Sequence, residues 1–367
     1  MNERCVAVLG RRDEPTDGVE EYCQYLSAAL QPHGVSFDLV RVRWAELGWR
    51  AALRELRQQA AEWRDVWVFV QYTALNWSRR GFSLPVLRVL KLLKRDGVRC
   101  AIVFHDAEPF HGQRIVDRLR RRVQIYTMRE ALRLTDLAVL TVPGEKIPWL
   151  PADHDRAIFI PVGANLPSPE KVWHRDHNGT KEPPTVAVFS LTGGEAGWEE
   201  VECIVKAMRY AAERMGTLRL VVLGRNSEEA EKQLREGLCD AQVELTVLGL
   251  LSAGDVARVL GSSDVLLFAR GPISTRRSSA IAGIACGLPV IAREGWETAA
   301  PITEAGVVLL AAGAEKEFGP ALLQVLTDAP YRVSLAERSR RAQELHFSWE
   351  AIATEYVQAL RPITGKH

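Results

Sequence analysis

The chain is expected to be an α/β protein with two doubly wound parallel sheets, and three observations carry that expectation. Short apolar runs alternate with helical patterns along almost the whole sequence, the signature of strands joined by covering helices. The 367 residues, 47% of them apolar, suffice for two domains that each bury a core. Between the two alternating halves, residues 166–184, LPSPEKVWHRDHNGTKEPP, are polar and rich in proline, which marks a linker. The boundaries read from this pattern are 1–165, 166–184 and 185–345, with a final helical segment in 346–367.

In the first half, strands are expected at 6–9, 37–42, 66–70, 101–104, 137–141 and 158–161, and helices at 20–30, 49–63, 85–95 and 114–134. Each strand run is short, bounded and apolar, and each helix is long enough to cover a sheet face by a right-handed crossover. In the second half, strands are expected at 185–191, 218–223, 243–248, 265–268, 290–292 and 307–309. The last helix follows His346-Phe347-Ser348-Trp349 and runs to about residue 360.

A formal net charge of +1 conceals an uneven distribution. Residues 1–165 carry 25 Lys and Arg against 20 Asp and Glu, residues 166–367 carry 22 against 26, and residues 79–133 alone carry 14 against 5. The basic stretch is either a solvated helix face or a surface for an anionic partner. No run reaches the roughly 20 apolar residues needed to span a bilayer, and MNERCVAVLG enters a strand at once, so a cytoplasmic location is expected. The six cysteines are scattered without a CxxC pair, as expected for reduced thiols.

The most informative stretch is 264–292, DVLLFARGPISTRRSSAIAGIACGLPVIA. A buried strand leads through a polar loop into a small-residue helix, which Gly287-Leu288-Pro289 closes before the next strand. Arg276, Arg277, Ser278 and Ser279 fall at the helix N-terminus, where backbone N–H groups and the helix dipole attract an anion. A capped helix packed tightly through Ala280, Ala282, Gly283 and Ala285 explains the same residues without a ligand.

This spacing resembles the donor-binding segment of retaining glycosyltransferases of family four, which have the GT-B fold of two Rossmann-like domains facing across a cleft. The ending Ala285-Cys286-Gly287-Leu288-Pro289-Val290 matches, whereas the two positions that are glutamate in that family are Ser274 and Ala282. Further matches follow the ends of predicted strands, where open parallel sheets bind ligands. Gly18-Val19-Glu20 is similar to the family's N-terminal glycine loop, with Asp17 at its first glycine position; Gly18 either lets backbone approach a phosphate or acceptor or serves a turn of positive φ. The loop is not GxGxxG, so no dinucleotide fingerprint is present. His105 ends the fourth strand, where the resemblance places a histidine at the donor sugar. Gly193 and Gly194 follow the first strand of the second half, but Ser190 and Glu195 or Ala196 stand where the family carries Arg and Lys. Gly224 and Arg225, then Gly249, follow the next two strands, at positions that the resemblance places near ribose and base.

The resemblance implies transfer of a sugar from a nucleoside diphosphate donor to a hydroxyl acceptor, a small molecule or a lipid-linked glycan, with retention at the anomeric carbon. The diphosphate would lie at Arg276, Arg277, Ser278 and Ser279, the sugar at His105, and the acceptor near Asp13, Glu14 and Glu20. No metal and no cofactor besides the donor is expected, since no convincing Asp-x-Asp site is found, and Asp106, Glu108 and His111 lie on irregular backbone without a second cluster. Nucleic acid is not an expected partner; weak peripheral association with anionic membrane stays open beside a fully soluble enzyme, on the charge of Arg88, Lys91, Arg95, Arg118, Arg120, Arg121 and Arg122 alone, since the apolar side of the 85–95 helix is what a helix covering a parallel sheet needs. Two rivals stay open: a non-catalytic GT-B subunit that binds or activates a partner transferase, favoured by the replaced glutamates and cations, and a nucleotide-sugar epimerase.

Overall fold

The computed structural model describes residues 3–167 and 182–361. Residues 168–181 of the expected linker and 362–367 of the C-terminal segment lie outside the described residues. The chain divides into two compact units, the first comprising 1–162 with 349–367 and the second 163–348.

In the first unit the chain runs through β1 (Glu3–Leu9), α1 (Gly18–Leu30), β2 (Val35–Arg41), α2 (Trp44–Leu47), α3 (Trp49–Ala60), β3 (Trp67–Tyr72), α4 (Val86–Arg95), β4 (Arg99–Phe104), α5 (Ile115–Leu134), β5 (Leu137–Leu140) and β6 (Ala157–Phe159). The six strands form one parallel sheet in the order β2-β1-β3-β4-β5-β6. The order reverses beside β1, so the loops leaving β1 and β3 open at a topological switch point. Val6, Val8, Val68, Val70, Ile102 and Phe104 are buried on the sheet, and α3, α4 and α5 contribute Leu56, Leu90, Leu93 and Met128 to the same core. Each such side chain contributes about 1.5–3 kcal/mol by leaving water. In α4 this burial takes the whole apolar side, Leu87, Leu90 and Leu93, and only Arg88, Lys91, Lys94 and Arg95 remain exposed. As expected from its pattern, α4 covers the sheet with its apolar side and presents charge on its outer side.

The second unit follows with β7 (Thr185–Phe189), α6 (Glu195–Met215), β8 (Leu218–Leu223), α7 (Ser227–Leu238), β9 (Val243–Val247), α8 (Ala253–Gly261), β10 (Val265–Pro272), α9 (Ser278–Ala285), β11 (Val290–Arg293), β12 (Val307–Leu310), α10 (Phe318–Thr327) and α11 (Ala329–Ala342). Its parallel order is β12-β11-β10-β7-β8-β9, with the reversal between β7 and β10. β10 runs past the expected end at residue 268, through a register shift between Phe268 and Pro272 that includes Gly271 at φ 61°. Such an irregularity bends a strand and re-aims its side chains.

A last helix, α12 (Trp349–Leu360), belongs to the first unit. Trp349 stacks on Tyr25 with ring centers 5.5 Å apart, Tyr356 packs on Phe69 at 5.6 Å, and the Tyr22 and Tyr356 hydroxyls lie 3.0 Å apart. Aromatic pairs of this kind add about 0.5–1.5 kcal/mol each beyond area burial. Of the six cysteines, five are buried and Cys239 is exposed; all are free thiols.

Candidate functional site

At the carboxyl edge of the second sheet, three loops interlock around glycines. After β7 the chain turns at Ser190, whose φ is 63°; its N–H donates to the Leu223 carbonyl at 2.8 Å, and the Leu191 N–H donates to the Arg225 carbonyl at 2.9 Å. Asn226 closes the turn by donating from Nδ2 to the Leu191 carbonyl. Gly224 has φ 87°, and a Cβ there would stand 2.7 Å from Ser190 Oγ and 2.9 Å from the Phe189 ring. Only glycine satisfies both demands. Its N–H donates to the Gly249 carbonyl at 2.7 Å, which ties the β9 loop to the other two. Gly193, Gly194, Gly224, Arg225 and Gly249 are thus brought together, and Gly193-Gly194 leads directly into α6, which has no side-chain cap at its first turn.

Two charged groups here were not singled out by sequence reasoning. Glu200, on the second turn of α6, is 6% exposed and accepts the Thr192 N–H at 2.7 Å. Burial pushes its carboxyl pKa up, while that N–H, Arg270 and Arg293 pull it down. Arg270, on the irregular end of β10, is shifted down by burial, with Glu200 acting against the shift and Arg225 adding to it. Arg270 is therefore within electrostatic reach of a second cation, Arg225, and of the Glu200 carboxylate, at the β7/β10 switch point beside an uncapped helix N-terminus. Among the described residues, the buried atoms Glu200 Oε1 and Ser274 Oγ have no hydrogen-bond partner. Buried polar atoms are seldom left so unless a ligand or water completes them.

In the loop before α9, one of the two arginines has an internal partner. Arg276 Nε lies 2.8 and 3.0 Å from the two oxygens of Glu297, and the two side chains are only 12% and 6% exposed. Its Nε is therefore committed to a carboxylate that is almost fully buried. Arg277 is the residue preceding α9 and makes no capping bond, and Ser278 and Ser279 occupy its first two positions. Ser274 and Ala282 are both buried, at 0% and 1%.

In the first unit, His105 leaves β4 and is partly buried. Its Nε2 lies 2.7 Å from Gln71 Oε1, while the Gln71 amide nitrogen donates to the Phe69 carbonyl at 3.2 Å. The amide oxygen therefore accepts, His105 carries its proton on Nε2, and Nδ1 is an acceptor. Burial pushes the imidazole pKa down to about 4, and the edge of Tyr22 packs against the ring at 4.9 Å. His105 is neutral throughout the physiological range.

The β1 loop is acidic where it meets α1. Asp17, 4% exposed, caps the helix by accepting the Val19 and Glu20 N–H groups at 3.2 Å, and Arg41 bridges Asp17 and Glu20, both at 3.1 Å. Gly18 is the first helical residue and is not among the positive-φ glycines, which corrects the turn explanation. With those donors taken by a carboxylate, this helix end does not invite a phosphate; Asp13, Glu14 and Gly18 are exposed. Glu108 pairs with His111 at 3.0 Å, and among the described residues no group of three or more His, Cys, Asp or Glu side chains gathers to hold a metal.

Residues 187–328 match the family described as "Glycosyl transferases group 1". No curated protein matches the chain by sequence. Solved structures do match over nearly the full length. HepE from Anabaena, in complex with UDP and glucose, superposes with a TM-score of 0.67 at 13% identity, covering 98% of this chain and 99% of that one. Sucrose-phosphate synthase from Thermosynechococcus elongatus gives 0.70 at 16% identity, covering 97% and 98%. A Listeria monocytogenes protein assigned as a UDP-N-acetylglucosamine 2-epimerase gives 0.65 at 12% identity, covering 98% and 96%. The two-unit fold matches that of the GT-B structures, and the match to the group 1 family lies within the second unit.

Proposed function

We propose that the protein moves a hexosyl group from a nucleoside diphosphate sugar to a hydroxyl acceptor, with retention of anomeric configuration and without a metal. The observation that carries this reading is the Arg225 and Arg270 pair, linked electrostatically through Arg270 and Glu200, beside Gly193-Gly194 at the start of α6. A leaving diphosphate needs cationic and N–H partners held in place before the bond breaks. Two guanidinium groups, uncapped backbone donors and a helix dipole supply them. Arg277, Ser278 and Ser279 at α9 extend the same edge toward the phosphates. Glu200 offsets the charge of Arg270 and leaves Oε1 for a donor hydroxyl, and Ser274 offers a second acceptor.

Neutral His105 accepts a hydrogen bond from a hydroxyl of the transferred sugar through Nδ1. UDP is the first nucleotide to test, because the fold neighbour HepE binds it. Retention is carried over from the resemblance of the 285–290 segment, and no protein nucleophile is assigned. The reaction is placed in the cytoplasm, with a small molecule or lipid-linked glycan as acceptor.

The test is incubation with UDP-sugars, with and without alcohol acceptors, followed by NMR of the anomeric protons. Glycoside of unchanged anomeric configuration, formed only with acceptor and insensitive to a chelator, is the expected result. An altered sugar still attached to the nucleotide would make the protein an epimerase. Tight nucleotide binding without turnover across acceptors would make it a binding subunit.

A further inference from the structure

Phe69 and Gln71 lie two residues apart on β3 and so share one face of the first sheet. From these two, a closed circuit of contacts runs through His105. Gln71 Nε2 donates to the Phe69 carbonyl at 3.2 Å, and Gln71 Oε1 accepts the Nε2 proton of His105 at 2.7 Å. The imidazole meets the Tyr22 ring edge to face, with centers 4.9 Å apart and planes at 81°. The Tyr22 hydroxyl lies 3.0 Å from that of Tyr356, and the Tyr356 ring packs back on Phe69 at 5.6 Å. Phe69, Gln71, Tyr22 and Tyr356 are all buried. Burial pushes both phenol pKa values up, so both hydroxyls stay protonated and one donates to the other.

A hydrogen bond at Nε2 fixes one atom of the imidazole, and the plane of the ring is then set by what packs on it. An edge-to-face aromatic contact has a preferred geometry, which an aliphatic neighbour lacks. Tyr22 is itself backed by the C-terminal helix. The chain passes from the second unit to the first between Ser348 and Trp349, and Trp349, which opens α12, meets the Tyr22 ring at 5.3 Å while it stacks on Tyr25. One wall of His105 is thus held by α12 through Tyr22.

We propose that Tyr22 is a positioning residue for sugar transfer: backed by Trp349 and Tyr356 of α12, its ring fixes the plane of the His105 imidazole, so that Nδ1 keeps one direction, while Gln71 fixes the tautomer. This role rests on His105 meeting the donor sugar, as in the proposed function. It gives the C-terminal helix a part in the site, although α12 contributes no group that touches His105 among the contacts described.

The experiment combines an NMR titration of His105, assigned by the loss of its signals in His105→Gln, with kinetics of sugar transfer by the full chain. Tyr22→Ala should raise the imidazole midpoint from about 4 toward about 6.5, and should lower kcat about tenfold with KM for the donor unchanged. Tyr22→Phe keeps the ring and should restore both values. Trp349→Leu removes the backing of Tyr22 and should move midpoint and kcat in the same directions as Tyr22→Ala. A folded Tyr22→Ala with the midpoint and kcat of the parent overturns the role, and so does a Tyr22→Phe as impaired as Tyr22→Ala. Should Tyr22→Ala not fold, Trp349→Leu decides on the same two readouts, and parent values there overturn the role. Parent turnover in His105→Ala is a different failure: it removes the histidine from the reaction, and the role of Tyr22 with it, even where the midpoint shifts.

Discussion

His105 Nε2 and Gln71 Oε1 lie 2.7 Å apart, and this contact decides what the histidine can do. With the proton held on Nε2 by a fully buried amide, the ring can only accept at Nδ1. The imidazole titrates near 4 because burial disfavours its charged form, against an ordinary value of about 6.5. Between those two values an unfolded chain binds the proton and the folded chain does not. The neutral ring's stabilising contribution is therefore complete above about pH 6.5 and is lost as pH falls toward 4. NMR of the imidazole should give a midpoint near 4, and His105→Gln should flatten the acid limb of the stability curve. Gln71→Leu should lower turnover at least about tenfold with nucleotide affinity unchanged; normal turnover would remove the pair from the reaction.

Arg225→Ala and Arg270→Ala should each weaken nucleoside diphosphate binding by about 1.5–3 kcal/mol, the value of a hydrogen bond to a charged group. Titration calorimetry with UDP and with uridine separates the phosphates from the base. Both variants should bind uridine as the parent chain does, and equal loss for UDP and uridine would move the arginines away from the phosphates.

Arg276 and Glu297 form a buried pair, so removing one partner strands the other. Arg276→Ala should lose about 3–5 kcal/mol of stability, and Arg276→Met with Glu297→Leu should recover much of it. Denaturant unfolding of the single and double variants measures the coupling. If Arg276→Ala unfolds as the parent does yet binds nucleotide poorly, Arg276 is a ligand residue after all.

Gly224→Ala should destabilise the second unit by about 1–3 kcal/mol, since the substitution combines φ 87° with close approach to Ser190 Oγ. UDP should then stabilise the variant less than it stabilises the parent, as read from the ligand-induced rise in Tm.

What the sequence determined by itself was the alternation of strand and helix and the glycines that close the strand ends. Those are local properties. Period-2 and period-3.6 patterns and the glycines at Gly193, Gly194, Gly224 and Gly249 are visible within windows of a few residues, and parallel connectivity then carries the loops to one edge of the sheet. The pairings were not local. Gln71 meets His105 across 34 residues, Glu297 meets Arg276 across 21, and Arg270 is turned by a register shift within β10 that no hydrophobic pattern records. Leu87, Leu90 and Leu93 of α4 are buried, yet Ile115 and Leu119 of α5 are exposed. Tertiary structure decided these points because a charge is neutralised, and an apolar face covered, by whatever the packing of distant elements brings against it.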